Sequence, residues 1–184
     1  ARLGTQMLAA PVSGNAKVVA AGKLTIVASG PRAAFDVARP YLEALGVGVT
    51  YVGEGELARM VKICHNLLLG VVAQSLAEIT VLAEKGGVQR SAFLEFMNNS
   101  VMGSMFSRYK TPALVNLDWT PTFTPVLLRK DLDLGLKAAK HLGVTLPVTQ
   151  ATRNQVNAAV EAGHTDRKST RLNSSHITIS DAVF

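Results

Sequence analysis

The sequence predicts an α/β segment followed by an all-helical segment built on one long, buried central helix. Two observations carry this. Up to Gly53, short β-branched runs alternate with turn residues and a single helical period. From Gly55 the alternation stops, and the run to Gly86–Gly87 holds no proline and only one internal glycine, Gly70.

The elements follow in order. MLAAPVS (7–13) and LTIVASG (24–30) read as strands, each ending in a Pro or Gly turn. PRAAFDVARPYLEALG (31–46) has helical spacing, with Gly46 as its expected C-cap. VGVTYVG (47–53) is a further strand, so one helix joins two strands in an expected parallel crossover. ELARMVKICHNLLLGVVAQSLAEITVLAEK is apolar on nearly every face and is expected to be covered on most sides. Short helices are expected at 91–100, with Ser91 as N-cap, and at 102–116. A Pro/Thr loop covers 117–125. Two further helices span 126–143, stopped by Gly143, and the stretch after Pro147 to Gly163.

Composition narrows the class. The chain has 184 residues, of which 48% are apolar and 17% charged, so it buries a core and is not disordered. The net charge of +6 is spread out, without interleaved aromatics, which argues against a nucleic-acid partner. The single cysteine, Cys64, forms no internal disulfide and suits a reducing, cytoplasmic compartment. Met60 to Leu82 is long enough to cross a bilayer, but Lys62, His65, Asn66, Gln74 and Glu78 interrupt it. A core helix with no membrane partner is the expected reading. The opening shows no signal peptide and reads as truncated.

Gly53-Glu54-Gly55-Glu56-Leu57-Ala58 fits the G-x-G-x-x-A dinucleotide pattern. Its helix is too long for that motif, no second strand follows, and Glu54 and Glu56 oppose a phosphate. The turn is read as the launch of the long helix.

Three stretches bear on chemistry. Lys62 and Asn66 are one helical turn apart and share a face. A lysine in an apolar setting has a lowered pKa and trades protons near neutrality, while an asparagine beside it can hold a hydroxyl or carbonyl. The plainer reading is a lysine reaching to solvent and a satisfied core asparagine. Pro11-Val12-Ser13-Gly14-Asn15 ends a strand, where a hydroxyl and backbone N–H groups can receive a carboxylate. Leu128-Arg129-Lys130-Asp131-Leu132 alone is an amphipathic charge pair.

In this order, P-V-S-G, then a glycine turn with K-x-x-x-N, then K-D-L, resembles the β-hydroxyacid dehydrogenase family of the 3-hydroxyisobutyrate dehydrogenase type, over about residues 5 to 165. The resemblance implies that residues 1–53 are the last part of a Rossmann-like, NAD(P)-binding domain. Residues 54–163 are then an all-helical domain like the C-terminal domain of 6-phosphogluconate dehydrogenase. It implies a nicotinamide cofactor, NAD or NADP, and a small 3-hydroxy acid of the 3-hydroxyisobutyrate or 2-hydroxy-3-oxopropionate kind. Lys62 would be the acid–base residue. Ser13, Gly14, Asn15 and Asn66 would hold substrate, and Phe123, Lys130 and Asp131 would line the cofactor. No metal is assigned, and a homo-oligomer, dimer or tetramer, is implied.

The departures are specific. Asn15 stands where the family has a second glycine, and its tolerance of left-handed backbone keeps the turn possible. His65–Asn66 replaces an Asn–Asn pair, and His65 points about 100° from its neighbour, so it is read as a packing or supporting residue. The family's N-terminal glycine-rich motif would lie upstream of residue 1, so the chain is expected to be a fragment that does not turn over by itself. The tail 164–184 fits no family pattern and is read as artefactual. An imine reductase, a longer sugar-acid dehydrogenase, or a non-catalytic helical module for dimerisation or ligand binding are the alternatives.

Overall fold

A computed structural model describes residues 5–118 and 123–163. The 164–184 tail lies outside the described residues. The chain divides into two compact units, Ala1–His65 and Asn66–Phe184.

The first unit is built on a three-stranded sheet ordered β1(Val12–Ser13), β2(Thr25–Ala28), β3(Gly48–Tyr51). β1 runs antiparallel to β2, and β2 runs parallel to β3. The crossover helix α2(Arg32–Leu45) joins the parallel pair, as the sequence predicts. Phe35 is the buried anchor of α2 and lies 4.7 Å from the Tyr51 ring. The Arg32 guanidinium covers both rings, at 5.7 and 5.2 Å.

Two expectations in this unit need correction. The 7–13 strand shrinks to two residues plus an isolated bridge between Ala9 and Ser29, because Pro11 between them has no N–H to donate. A five-residue helix, α1(Ala16–Ala20), follows β1 and was not expected; its run of AKVVA is too short for a helical period to show. Gly46 is the C-cap of α2, as expected, but in an extended conformation, with φ −162°, instead of a left-handed one. It is small because a Cβ there would lie 2.3 Å from the Leu24 carbonyl oxygen.

The long helix α3(Leu57–Lys85) has 29 residues, about 44 Å at 1.5 Å per residue. Gly55 takes φ +66° in the turn before it. Ser29, fully buried at the end of β2, then binds both sides of the junction. It donates to the Gly55 carbonyl at 2.8 Å and accepts from the Ala58 N–H at 2.9 Å. The G-x-G-x-x-A turn is therefore a helix start whose orphan N–H is taken by the protein itself. At the far end, the Val88 N–H reaches back to the Ala83 carbonyl at 3.0 Å, closing the helix.

In the second unit, α3 is followed by α4(Arg90–Asn99), α5(Met105–Asn116), α6(Pro125–His141) and α7(Pro147–Glu161). Ser104 and Ser107 form a reciprocal capping box on α5, and Thr124 caps α6 ahead of Pro125. Ser91 is not the cap of α4. The helix opens one residue earlier, at Arg90, whose guanidinium is fixed by Glu84 at 2.6 Å and the Leu114 carbonyl at 3.1 Å. The expected 117–125 loop lies partly outside the described residues, at 119–122.

The core of this unit sets α3 against α6. Leu67, Ala73, Leu76, Ala77 and Thr80 are buried on α3, and Leu128, Leu132 and Ala139 on α6. Small residues allow the approach. A Cβ on Gly70 would meet Leu128 at 3.0 Å, and one on Gly135 would meet Leu67 at 2.4 Å.

The expectation that α3 is covered on most sides fails. Leu67, Leu76 and several small side chains face the core, while Val61, Leu68 (64% exposed), Val72, Ile79 and Leu82 (72% exposed) form an uncovered stripe. Among the described residues, nothing covers this stripe. The helix also meets the length and apolarity criterion for crossing a membrane, with 33% of that window buried, which is weak evidence by itself.

Candidate active site

The residues singled out in the sequence fall into one cluster in each unit. In the first, β1 delivers Ser13 and the next residue, Gly14, turns the chain at φ +141°. Only glycine fits there, since a Cβ would lie 2.7 Å from Val18 and 2.8 Å from Leu24. Asn15 is not left-handed; Gly14 makes the turn alone. The Asn15 side chain accepts from the Val18 N–H at 3.2 Å and so caps α1. The expected turn survives because the strain sits one residue earlier than expected.

The Ser13 hydroxyl lies 3.0 Å from His65 Nε2. His65 stands on the first part of α3 and is exposed, so it is not a packing residue. Lys62 is on the same helix, three residues before His65 and four before Asn66, and is half-buried. Val61, Cys64 and His65, its neighbours in sequence, are exposed.

In the second unit, α3 and α6 bring Asn66 and Asp131 together. The Asn66 Nδ2 donates to Asp131 Oδ2 at 2.8 Å. The other oxygen of Asp131 holds the Lys130 ammonium at 3.0 Å. Asp131 is nearly enclosed, at 13% side-chain exposure, whereas Lys130 reaches outward at 66%. One carboxylate thus orients an amide on one helix and a cation on the other. Phe123 is half-buried just before the Thr124 that caps α6.

Sequence reasoning missed the Ser13–His65 and Asn66–Asp131 bonds, which join residues 52 and 65 positions apart. It also missed Lys110 on α5, only 8% exposed, whose pKa burial lowers to about 8. Its neighbourhood, Arg-Tyr-Lys-Thr-Pro, looks polar in sequence, so its burial becomes visible only in the folded chain. Among the described residues, no three His, Cys, Asp or Glu side chains are grouped as metal ligands.

An α/β piece with a parallel crossover leads through one long helix into an all-helical unit. Residues 55–174 match the family model for the NAD-binding domain of NADP-dependent 3-hydroxyisobutyrate dehydrogenase. Residues 1–53 match that for the NAD-binding domain of 6-phosphogluconate dehydrogenase. The chain belongs to the β-hydroxyacid dehydrogenase family of the 3-hydroxyisobutyrate dehydrogenase type. It is 35% identical to the L-threonate dehydrogenase of Escherichia coli K12, over 86% of this chain and 53% of that protein. It is 31% identical to the 3-hydroxyisobutyrate dehydrogenase of Pseudomonas aeruginosa, over 88% and 57%. The crystal structure of 3-hydroxyisobutyrate dehydrogenase from Salmonella typhimurium superposes with a TM-score of 0.80 at 32% identity, covering 88% of this chain and 57% of that one. The fold is thus a Rossmann remnant followed by the helical domain of this family. The chain spans about half the length of the relatives it matches.

Proposed function

We propose that the intact protein is an NAD- or NADP-dependent dehydrogenase of small hydroxy acids, interconverting a 3-hydroxy acid and its semialdehyde. The observation that carries this reading is the turn of α3 holding Lys62 and Asn66, with the Asn66 amide oriented by Asp131. Relatives named for L-threonate, 3-hydroxyisobutyrate, 2-(hydroxymethyl)glutarate and L-serine support it, since each of those molecules pairs a carboxylate with a hydroxyl. A cytoplasmic location is part of the same reading, in keeping with the single cysteine, Cys64.

The roles follow from residue chemistry. The Ser13 hydroxyl and the Gly14 backbone receive the substrate carboxylate, and Asn15 stabilises that turn by capping α1. The Lys62 amine takes the hydroxyl proton in oxidation and returns it in reduction. Asn66 positions the reacting oxygen. Lys130, held by Asp131 and reaching outward, suits the anionic cofactor, with Phe123 seven residues upstream, just before the cap of α6. The G-x-G-x-x-A turn does not suit the pyrophosphate, because Ser29 already occupies the Ala58 N–H. The nicotinamide, when bound, supplies the hydride acceptor.

A homo-oligomer, dimer or tetramer, is part of the same reading. The uncovered α3 stripe of Val61, Leu68, Val72, Ile79 and Leu82 supports it. The reading assigns neither a nucleic acid nor a membrane as partner.

The test is a panel of hydroxy acids, including 3-hydroxyisobutyrate, L-threonate and L-serine, offered to the intact enzyme with NAD+ or NADP+. The expected result is reduced nicotinamide, seen by its near-ultraviolet absorbance, with at least one acid. A folded enzyme that reduces neither cofactor with any of them, and oxidises neither with 2-hydroxy-3-oxopropionate, overturns the proposal.

A further inference from the structure

We infer that His65 is a positioning residue that aims the Ser13 hydroxyl at the substrate carboxylate, so that it governs substrate affinity and not the chemical step. The inference rests on the reading of Ser13 as a carboxylate ligand. Ser13 and His65 are brought together from 52 residues apart, with Oγ and Nε2 at 3.0 Å, on the exposed side of the first unit. A hydroxyl has one proton and two acceptor lone pairs. A carboxylate can only accept. If the Ser13 proton were spent on His65, the hydroxyl would turn a lone pair toward the carboxylate, which repels it. The productive arrangement is the reverse: His65 donates its Nε2–H to Ser13 Oγ, and the Ser13 O–H points outward as a donor.

The placement on α3 fits this role. His65 follows Lys62 by three residues, so the two lie on neighbouring parts of one helix face. The bond therefore ties the carboxylate-binding turn to the same helical segment that carries the acid–base lysine. A substrate held by Ser13 is registered against Lys62 through a single side chain. Gly14 and the Asn15 cap fix the other side of the turn, leaving the hydroxyl rotor as the one degree of freedom that His65 removes.

The experiment measures KM and kcat of the intact enzyme for a 3-hydroxy acid in His65→Leu, His65→Gln, Ser13→Ala and the double variant Ser13→Ala/His65→Leu. Loss of one well-aligned donor is expected to raise KM about tenfold in His65→Leu while kcat stays within about twofold. His65→Gln, whose side-chain amide N–H reaches the same place, should recover most of the affinity. In the Ser13→Ala background, His65→Leu should have no further effect on KM. An unchanged KM in His65→Leu, a fall confined to kcat, or a full extra rise in KM without Ser13 would each overturn the role of His65. If Ser13→Ala itself leaves KM unchanged, the carboxylate reading of Ser13 fails and takes this inference with it. If Ser13→Ala raises KM and His65→Leu does not, only the inference fails.

Discussion

Replacing Lys62 with alanine is expected to lower kcat by about two to four orders of magnitude, the usual range for a lost general acid–base group. The helix should survive, because Lys62 is only half-buried on α3 and alanine is the strongest helix former. Lys62→Arg separates charge from proton transfer. The guanidinium keeps the positive charge but does not give up its proton at working pH, so Lys62→Arg should be nearly as slow as Lys62→Ala. Small primary amines added to Lys62→Ala should restore part of the rate, since they supply the missing proton carrier. Near-normal turnover in Lys62→Ala, with normal circular dichroism, would remove the residue from the mechanism.

The second large effect concerns Gly135, which has no chemistry. Within a helix, Gly→Ala ordinarily stabilises by about 1 kcal/mol. At Gly135 the added Cβ would meet three atoms of Leu67, at 2.4, 2.6 and 2.7 Å, and Leu67 is buried. Overpacking of this kind costs about 1–3 kcal/mol and more where nothing can move, so the clash outweighs the helix preference. Gly135→Ala should therefore destabilise the chain by about 1–2 kcal/mol, read as a fall in Tm of several degrees. The sign should reverse once the obstacle is gone: in a Leu67→Ala background, Gly135→Ala should stabilise. The same substitution pushes α6 from α3, so it should also loosen the Asn66–Asp131 bond that the close approach permits. Additive effects in the double variant would mean that Leu67 is not what Gly135 accommodates.

These two positions show how far the sequence could be read. The parallel crossover was legible because β-branched runs and a helical period announce β2, α2 and β3 without help from tertiary contacts. The length of α3 was legible from one uninterrupted run between glycine turns. Its burial was not. Apolar composition states only that faces need covering, and here Leu67, Gly70, Ala73, Leu76 and Ala77 take the inside while Leu68 and Leu82 stay out. In the site, single residues could be named, since a lysine four before an asparagine is a local pattern. The bonds that orient them were hidden, because His65 meets Ser13 and Asp131 meets Asn66 only after folding. Asn15 is a milder case: the turn it was expected to permit is present, but Gly14 makes it and Asn15 caps α1 instead.

The central claim is hydride transfer from a hydroxy acid, with Lys62 carrying the proton. The most direct measurement uses a 3-hydroxy acid deuterated at the carbinol carbon, turned over by the intact enzyme with unlabelled oxidised cofactor. The label should appear on the nicotinamide ring of the reduced cofactor, while the hydroxyl proton exchanges with water. Deuterium released into solvent, with none on the nicotinamide, would contradict the claim.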